Sequence, residues 1–386
     1  MTREAWIVAA TRSPIGRATK GSLVDFRPDD LCALMVRAAL ARVPSLPPGE
    51  VEDVIVGCAQ PAGEAGYNLA RVVALLSDLG GSPGTTVNRY CASSLQAIRM
   101  AAHAIKAGEG DVFVCAGVET VSRFGKGKSD GMPDTKNPRF DDAASGLANV
   151  YMPMGETAER VAVQEDVSRA DMDAFSALSQ QRAVASQDDG FFAREITPVT
   201  TPSGVAVATD DGPRRGTTAE ALAKLKPAFR EDGRITAGNA CPLNDGAAAV
   251  VVMSSDRARA LGIAPLARIV ASAVTAIDPE IMGLGPIAAS RLALARAGLT
   301  MRDMDLVEIN EAFAAQVLPS ARALGVPMEK LNAHGGAIAL GHPFGMTGAR
   351  IMTTLLNGLG TAGGTLGLET MCVGGGQGMA MIVERI

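Results

Sequence analysis

The chain has 386 residues, 47% of them hydrophobic, which is long enough for two or three domains with sizeable cores. Its 36 basic and 41 acidic residues give a net charge of -5. They are mixed along the sequence without the basic stripe that nucleic-acid binding requires, so we do not expect a nucleic-acid partner. No run reaches the roughly 18 apolar residues that span a bilayer, and the N-terminus has no apolar signal core, so we expect a cytosolic protein without a transmembrane segment.

The first part of the chain predicts an alternating α/β unit. Apolar runs that predict buried strands lie at 5–10, 51–57, 85–88 and 111–117, and helical patterns lie at about 28–42, 66–78 and 91–107. The third helix has one buried face, formed by Leu95, Ile98, Ala102 and Ile105. His103 lies beside that face, and we interpret it as a surface or packing residue.

Residues 118–242 are a polar, loop-rich insertion of mixed charge. Helical patterns at 154–165 and 168–187 predict an ordered excursion rather than a flexible linker. Such an excursion is suited to cover a binding site.

After the insertion, the strand-then-helix pattern returns and a second α/β unit repeats the order of the first. Two strands are predicted at 305–309 and 330–336, and a helix at 348–359 and a third strand at 367–373 follow them. We therefore predict two related halves with a site in the cleft between them. The predicted units are 1–117 with 243–264, the insertion 118–242, and 265–386.

The chain has six cysteines without a C-x-x-C pair, which indicates neither a disulfide framework nor a zinc site. They are Cys32, Cys58, Cys91, Cys115, Cys241 and Cys372. Cys91 stands out because it lies where a predicted strand turns into a helix. There its sulfur is near free backbone N–H groups and the positive end of the helix dipole, which favour a thiolate nucleophile.

The helix dipole alone is too weak to create this thiolate at neutral pH. It supplies about 0.3–1 kcal/mol, whereas lowering a thiol pKa from about 8.5 to about 6.5 requires roughly 2.7 kcal/mol. A base or cation must therefore help Cys91. His334 and His342 are the candidates, both in the glycine-rich segment 332–350, and the residues alone leave open whether either is catalytic or simply a hydrogen-bonded histidine in a turn.

Three further segments have candidate motifs. In "CVGGGQG" (372–378), glycines can turn N–H groups inward as an oxyanion hole beside Cys372, although a buried cysteine before a turn is common. In "NEAFAAQV" (310–317), Asn310 either caps a helix or donates to a developing negative charge.

"GLGTAG" (358–363) fits a dinucleotide-binding pattern but follows a helix and precedes a strand, the reverse of the required order, so we assign it to a loop. No metal-site spacing is present.

Taken in order, "VNRYCASSLQA", "NEAFAAQV", "GGAIALGHPFGMTGAR" and "CVGGGQG" resemble the motifs of the thiolase family. The resemblance extends from residue 8 to the C-terminus. It implies a thiolase-type α/β fold, with two duplicated βαβαβαββ halves in a five-layer αβαβα arrangement and the insertion as a loop domain that covers coenzyme A. It also implies a homodimer or homotetramer, and coenzyme A as a co-substrate with no permanently bound cofactor.

The resemblance also implies a role for each candidate. Cys91 is the nucleophile that holds the acyl group as a thioester, and His342 activates it. Cys372 is the acid/base that exchanges the α-proton of acetyl-CoA. Asn310, through a bound water, joins His342 in one oxyanion hole, and the backbone N–H groups of Cys91 and Gly374 form a second.

The sequence departs from the family pattern at Pro153, Cys241 and His334, where histidine, serine and asparagine respectively are common. The catalytic set is complete, so these departures bear on the expected contacts with coenzyme A. The resemblance assigns these contacts to Met154, Phe229, Ala237 and Phe313, with Cys241 as a weaker candidate.

Within the family, the stretch 277–299 and Ser94 after the nucleophile resemble the degradative branch. We therefore expect a 3-ketoacyl-CoA thiolase of β-oxidation, which produces acetyl-CoA and a shortened acyl-CoA. The alternative is an acetoacetyl-CoA thiolase, because the same residues condense two acetyl-CoA units. A thiolase-like lipid-binding or acyl-CoA-binding protein without turnover is disfavoured by the complete catalytic set. The sequence leaves open the acyl-chain length and the docking of a hydratase/dehydrogenase partner.

Overall fold

Strands rich in alanine and valine alternate with helices along most of the chain, as the apolar pattern predicts. The computed structural model describes residues 3–386. Its strands are β1 (Ala5–Arg12), β2 (Gly16–Arg17), β3 (Asp53–Gly57), β4 (Gly84–Val87), β5 (Val112–Thr120), β6 (Val199–Thr200), β7 (Ala206–Val207), β8 (Asn244–Ser254), β9 (Ala267–Ala276), β10 (Leu306–Ile309), β11 (Leu366–Val373) and β12 (Gln377–Arg385). Its α-helices are α1 (Pro28–Ala41), α2 (Leu69–Leu76), α3 (Ser93–Ala107), α4 (Met154–Gln164), α5 (Arg169–Asp188), α6 (Ala219–Leu222), α7 (Ser255–Ala260), α8 (Gly285–Ala297), α9 (Ala314–Leu324), α10 (Ala337–Leu340) and α11 (Thr347–Ala362).

One mixed sheet contains both halves of the chain. Its strand order is β10-β11-β12-β9-β1-β8-β5-β3-β4, with β2 paired to β8. The two halves meet between β1 and β9, which share only the pairs Trp6–Arg268 and Ile7–Ala267. The remaining pairings therefore lie within one half or the other.

The pairings repeat from one half to the other, as the order of elements predicts. In the first half, β3 runs parallel to β5, and the antiparallel strands β8 and β1 follow. In the second half, β10 runs parallel to β11, and the antiparallel strands β12 and β9 follow. The two halves thus have the same topology.

The predicted strand at 330–336 is an exception and was wrong. Only Leu331 pairs, through an isolated bridge to Val307, because the chain turns at Asn332 and Gly335, which have φ angles of 45° and 84°. The Asn332 side chain replaces the ladder by accepting from Ile309 N at 2.9 Å and donating to Ile309 O at 2.9 Å.

Three hydrophobic clusters define five layers. Helices α1 and α2 pack on the outer face of the first half of the sheet. Helices α3 and α11 lie between the two halves, among residues such as Ile98, Val250 and Met381. Helices α8 and α9 cover the outer face of the second half. The order is therefore αβαβα, and each sheet face is buried by a helical layer.

The segment "GLGTAG" is helical rather than a loop, so that prediction was wrong. Helix α11 continues to Ala362 and ends at Gly363, whose φ of 66° is typical of a helix C-terminus. Leu359 is fully buried in the middle layer, and its packing keeps this glycine-containing stretch helical.

The insertion is ordered, and its two predicted helices are confirmed as α4 and α5. It also contains α6 and the short hairpin β6–β7. Arg12 of β1 forms salt bridges with two residues of the insertion, Glu195 and Asp210, with N···O distances of 2.6 and 2.8 Å. Over residues 3–386, no helix has both the length and the apolar character needed to cross a bilayer.

Candidate active site

A tight turn between β4 and α3 holds Cys91. Residues Tyr90–Ala92 form a 3-10 turn, so α3 begins at Ser93 and not at Cys91 as predicted. Tyr90 has a φ of 42°, a left-handed conformation that is costly for a non-glycine residue. The Ser93 hydroxyl stabilises the turn by accepting from Arg89 N at 2.9 Å and donating to Tyr90 O at 2.6 Å. The turn leaves Cys91 partly exposed ahead of the helix.

The Cys91 sulfur lies beside two backbone N–H groups, those of Gly374 and of Cys91 itself. Burial raises the pKa of the Cys91 thiol to about 12, and the two N–H groups only partly oppose this effect. Burial of Cys91 therefore favours the neutral thiol in the free protein. Formation of the predicted thiolate then depends on a base that accepts its proton.

His342 is held in one orientation by three contacts. Its backbone N donates to Asn244 Oδ1 at 3.1 Å, and its Nδ1 lies 2.6 Å from Thr347 Oγ1. The Thr347 hydroxyl donates to Pro343 O at 2.8 Å, so Thr347 Oγ1 accepts from His342 Nδ1–H. This assigns the proton to Nδ1 and leaves Nε2 unprotonated, so that Nε2 accepts from Asn310 Nδ2 at 3.3 Å.

His342 is uncharged in this position. Burial lowers its pKa to about 3, and the positive charge of Arg350 contributes in the same direction. A neutral imidazole with an unprotonated Nε2 can accept a proton from a thiol. The candidate nucleophile and the candidate base are therefore both uncharged.

Asn310 lies at the end of β10 with its amide directed at His342. The residue that precedes α9 as its cap is Phe313, so the alternative in which Asn310 caps this helix is wrong. Asn310 Oδ1 is buried and has no hydrogen-bond partner within residues 3–386. An unsatisfied buried amide oxygen of this kind suits a bound water or a substrate group.

Cys372 ends β11 and is fully buried. Burial raises the pKa of its thiol, and the nearby sulfurs of Cys91 and Cys241 raise it further. The fold thus brings the thiols of Cys91 and Cys241 near Cys372, although the three residues are far apart in the sequence. Cys241 is the half-buried member, and its N–H donates to Ala312 O at 2.9 Å.

The glycine turn after Cys372 brings a backbone N–H to Cys91. Gly375 and Gly376 have φ angles of 76° and 80°, which glycine adopts at no steric cost. A Cβ on Gly374 would lie 3.2 Å from the Tyr90 ring, so the absence of a side chain permits the close approach of the two turns. The N–H groups of Cys91 and Gly374 therefore both lie at the Cys91 sulfur, and their role as an oxyanion hole stays a prediction.

The predicted coenzyme A contacts fall in two neighbouring places. Phe229 and Phe313 meet edge to face with ring centroids 6.1 Å apart, and Met154 and Cys241 pack against the same cluster. Ala237 lines a narrow recess together with Arg17 and Arg214. Phe229 and Phe313 are thus in direct contact, and Ala237 lies in a recess with two arginines.

The other two histidines lie elsewhere. The His334 ring stacks on Phe191 with centroids 3.5 Å apart, and its Nδ1 is 3.0 Å from Ser186 Oγ. Burial lowers the pKa of His334 to about 4. His334 therefore joins the insertion to the glycine-rich segment by packing, and His103 lies on the exposed surface of α3.

The sequence analysis missed Glu311, which anchors the segment that leads to His342. Its carboxylate accepts from Ser179 Oγ at 2.6 Å, Asn332 Nδ2 at 2.8 Å and Ile338 N at 3.1 Å. These bonds join the segment to α5 of the insertion. A carboxylate directly after a candidate catalytic asparagine was the available signal.

Glu119 was also missed. It lies at the end of β5 and accepts from the N–H groups of Ala59, Gln60 and Gly345 at 2.9, 3.3 and 3.0 Å. Burial raises the pKa of Glu119 to about 7, while these three donors favour the ionised form. Glu119 therefore fixes the turn that follows His342.

Within residues 3–386, no three His, Cys, Asp or Glu side chains are grouped as a metal site.

Two family models match the chain over nearly its whole length. Residues 5–256 match "Thiolase, N-terminal domain" and residues 263–385 match "Thiolase, C-terminal domain". The chain is 46% identical to beta-ketoadipyl-CoA thiolase of Acinetobacter baylyi, with 100% of both chains covered. It is 44% identical to 3-ketoacyl-CoA thiolase of Marinobacter nauticus, with 100% of this chain and 99% of the relative covered. The crystal structure of human mitochondrial 3-ketoacyl-CoA thiolase in complex with CoA matches with a TM-score of 0.89 at 39% identity, covering 100% of this chain and 98% of that one.

Proposed function

Because the chain belongs to the thiolase family, we propose that this acyltransferase cleaves 3-ketoacyl-CoA with coenzyme A in fatty-acid β-oxidation. The products are acetyl-CoA and an acyl-CoA shortened by two carbons. Thiolase activity on 3-oxoacyl-CoA, with coenzyme A as a substrate, follows from the family. The observation that supports the assignment of the site is the unprotonated Nε2 of His342, which accepts from Asn310 Nδ2, in a protein whose partly exposed Cys91 adjoins the Gly374 N–H.

The first half-reaction transfers the acyl group to Cys91. As the Cys91 sulfur attacks the 3-keto carbon, its proton passes to His342 Nε2, so that a thiolate forms only during attack. The bond between C2 and C3 then breaks, and acetyl-CoA leaves as an enolate that takes a proton at C2 from Cys372. The high thiol pKa of Cys91 supports this order, because a resting thiolate is disfavoured.

The second half-reaction restores the enzyme. The thiol of incoming coenzyme A gives its proton to Cys372 and attacks the thioester carbonyl carbon. Collapse of this intermediate releases the Cys91 sulfur, which recovers its proton from His342. Every proton that leaves a residue in the first half-reaction thus returns in the second.

Two sets of donors stabilise the negative oxygens that form on the way. The N–H groups of Cys91 and Gly374 serve the oxygen of the acyl intermediate, since both lie at the Cys91 sulfur. Protonated His342 and a water held by Asn310 serve the thioester oxygen of the enolate. The unsatisfied Asn310 Oδ1 supports the second assignment.

Coenzyme A contacts are assigned to the insertion and the rim around it. Met154, Phe229 and Phe313 supply apolar surface for pantetheine, with Ala237 and Cys241 beside it. Phe229 is 46% exposed, which is unusual for a phenylalanine and suits a ligand-covered surface. The two halves are assigned to residues 1–117 with 243–264 and to residues 265–386. The insertion, residues 118–242, is then the loop domain that covers coenzyme A.

A homo-oligomer is also part of the proposal. Strand β4 ends the sheet with an unpaired edge, and Tyr67, Leu75 and Leu76 near it are exposed. An open edge beside apolar side chains is suited to pairing with a second copy. Light scattering after gel filtration should give the mass of a dimer or tetramer, and a monomer at micromolar concentration would contradict this.

A second candidate substrate class is 3-oxoadipyl-CoA. The observation that favours it is the 46% identity to a beta-ketoadipyl-CoA thiolase of Acinetobacter baylyi and to a 3-oxoadipyl-CoA/3-oxo-5,6-dehydrosuberyl-CoA thiolase of Escherichia coli. Such an acyl group ends in a carboxylate, whereas the acyl group of β-oxidation ends in a methyl. The two candidates differ in what the distal part of the acyl pocket must accept.

Thiolysis assays can separate these candidates. The kcat/KM values should be compared at one pH for acetoacetyl-CoA, a long-chain 3-ketoacyl-CoA and 3-oxoadipyl-CoA, with the Cys91→Ala protein as the blank. A long-chain preference of tenfold or more is expected. A preference for 3-oxoadipyl-CoA would replace the β-oxidation assignment, and a preference for acetoacetyl-CoA would establish the short-chain alternative.

A further inference from the structure

A recess lined by three arginines lies apart from the candidate active site. Its wall includes Arg42, which follows α1, and Arg194, which precedes Glu195. The second half of α11 and the end of β12 form the rest. Its volume is about 340 Å³, within the range of small-molecule sites. None of its lining residues belongs to the catalytic or coenzyme A-binding set proposed above.

Each arginine is fixed by a hydrogen bond that leaves other N–H groups free. Arg42 donates to Ala10 O at 2.7 Å through Nη1, and Arg385 donates to Gly364 O at 2.7 Å through Nε. Arg194 donates to Asn357 Oδ1 at 3.0 Å and to Thr361 Oγ1 at 2.8 Å. Guanidinium groups held in place lose less entropy when they bind an anion.

The positive charge of the recess is only partly balanced locally. Within residues 3–386, Arg42, Arg194 and Arg385 make no salt bridge. Glu195 also lines the recess, but its carboxylate already accepts from Arg12 Nε at 2.6 Å and Asn357 Nδ2 at 3.1 Å. Three arginines without a salt bridge therefore face two carboxylates, that of Glu195, which is already paired, and the C-terminal carboxylate of Ile386.

The remaining lining leaves room for a ligand. Leu266 and Leu356 form apolar parts of the wall, and Gly360 contributes backbone only. A Cβ on Gly360 would meet no atom within 4 Å, so the space in front of α11 is open at this point. A ligand that reaches all three arginines must carry several negative charges in a compact group.

We propose that this recess binds a small phosphate-bearing polyanion of the pyrophosphate class. Arginine is suited to this chemistry because its planar N–H groups match phosphate oxygens in pairs. The proposal is independent of the acyl-CoA reaction, because it concerns different residues and its test measures binding and not turnover.

The probe is sodium pyrophosphate, titrated calorimetrically into the full-length protein at low ionic strength, with and without saturating coenzyme A. Saturable binding of one pyrophosphate per chain is expected, with the same affinity when coenzyme A occupies the active site. Arg42→Gln, Arg194→Gln and Arg385→Gln should each weaken binding about tenfold or more. Arg302→Gln is the matched control, because Arg302 is exposed and lies outside the recess.

A second variant blocks the space without removing charge. Gly360→Met places a side chain in the recess, and it should abolish pyrophosphate binding while leaving the melting temperature unchanged or higher, because methionine favours a helix more than glycine does. The proposal fails if no saturable binding occurs, if coenzyme A competes with pyrophosphate, or if Arg302→Gln weakens binding as much as the recess variants do.

Discussion

At the residue scale, the candidate site is a set of uncharged groups. Cys91 has a thiol pKa near 12 and His342 a pKa near 3, both because of burial. Neither group changes its charge between about pH 5 and pH 9. We therefore expect a proton to pass from Cys91 to His342 only during the reaction. The contact of His342 with Thr347 keeps its Nε2 unprotonated, and Asn310 donates to this nitrogen.

Replacing Cys91 by alanine tests the nucleophile. Turnover should fall by about 10⁴-fold or more, because no other group can hold the acyl intermediate. The melting temperature should change by only a few degrees, since Cys91 is partly exposed. Cys32→Ala, which removes a thiol buried in the outer layer, should retain turnover. Comparable thiolysis by the Cys91→Ala protein would refute the assignment.

Glu119 should introduce a pH dependence that Cys91 and His342 do not. Burial raises its pKa to about 7, and only its ionised form accepts fully from Ala59, Gln60 and Gly345. The carboxyl becomes protonated as the pH falls through 7, so the turn after His342 loosens and kcat should decline between pH 8 and pH 6. Glu119→Gln cannot titrate, and its kcat profile should be flat in this range, at a lower level. An unchanged acidic limb in this variant would show that another group is responsible.

At the scale of elements, the site depends on backbones that touch. A Cβ on Gly117 of β5 would lie 2.1 Å from Gly345 O and 2.5 Å from Ser94 Cβ. The strand, the turn after His342 and the start of α3 thus meet at a residue without a side chain. The positions of Cys91 and His342 relative to each other are set partly by this contact, which joins an element of each half.

Gly117→Ala should therefore damage both stability and activity. The nearest atoms include a backbone carbonyl that cannot rotate away, so we expect a loss of about 3 kcal/mol or more in the free energy of unfolding. The variant should also have lower kcat, because separation of the elements displaces the site. Gly360→Ala, in an open helical position, should be stabilising by up to about 1 kcal/mol. Denaturant titrations of both variants measure the difference, and equal stabilities would contradict the packing argument.

At the scale of the whole molecule, charged groups are buried between the two halves of the sheet. Arg350 on α11 faces Glu308 of β10 and Glu369 of β11, and all three are almost fully buried. Both oxygens of Glu369 and two nitrogens of Arg350 have no hydrogen-bond partner within residues 3–386. Burial raises the pKa of Glu369 well above its ordinary value, although the positive charge of Arg350 opposes this effect.

Glu308 couples these buried charges to the stability of the fold. Burial raises its pKa to about 8 from an ordinary value of 4.5, although Arg350 opposes the effect. The folded state therefore holds a proton that the unfolded state releases, and stability should be greatest below about pH 4.5 with respect to this group. It should decline as the pH rises to about 8, by roughly 1.4 kcal/mol per unit at most.

Glu308→Gln removes this titration and should flatten the pH dependence of unfolding between pH 5 and pH 8. The measurement is the free energy of unfolding from denaturant titrations at several pH values. Parallel curves for the variant and the original chain would mean that Glu308 does not exchange a proton on folding.

The sequence by itself determined the elements and the chemistry that is available. Apolar periodicity located most strands and helices, since each is built from local contacts and buries one or two faces. The repeated order of elements indicated the duplication, and ordered motifs indicated the family. The scarcity of histidine restricted the candidate bases to a few residues. These features depend on residue type and spacing, which a sequence contains in full.

Only the tertiary structure decided which groups meet and in which state of charge. His334 and His342 lie in the same glycine-rich segment, but one stacks on Phe191 and the other faces Asn310, because the chain turns at Asn332 and Gly335. The loss of a strand at 330–336 and the continuation of α11 through 358–362 were likewise decided by long-range packing. The neutral thiol of Cys91 has the same origin. Burial is a property of the surrounding layers, which come from distant parts of the chain and are not encoded in any one motif.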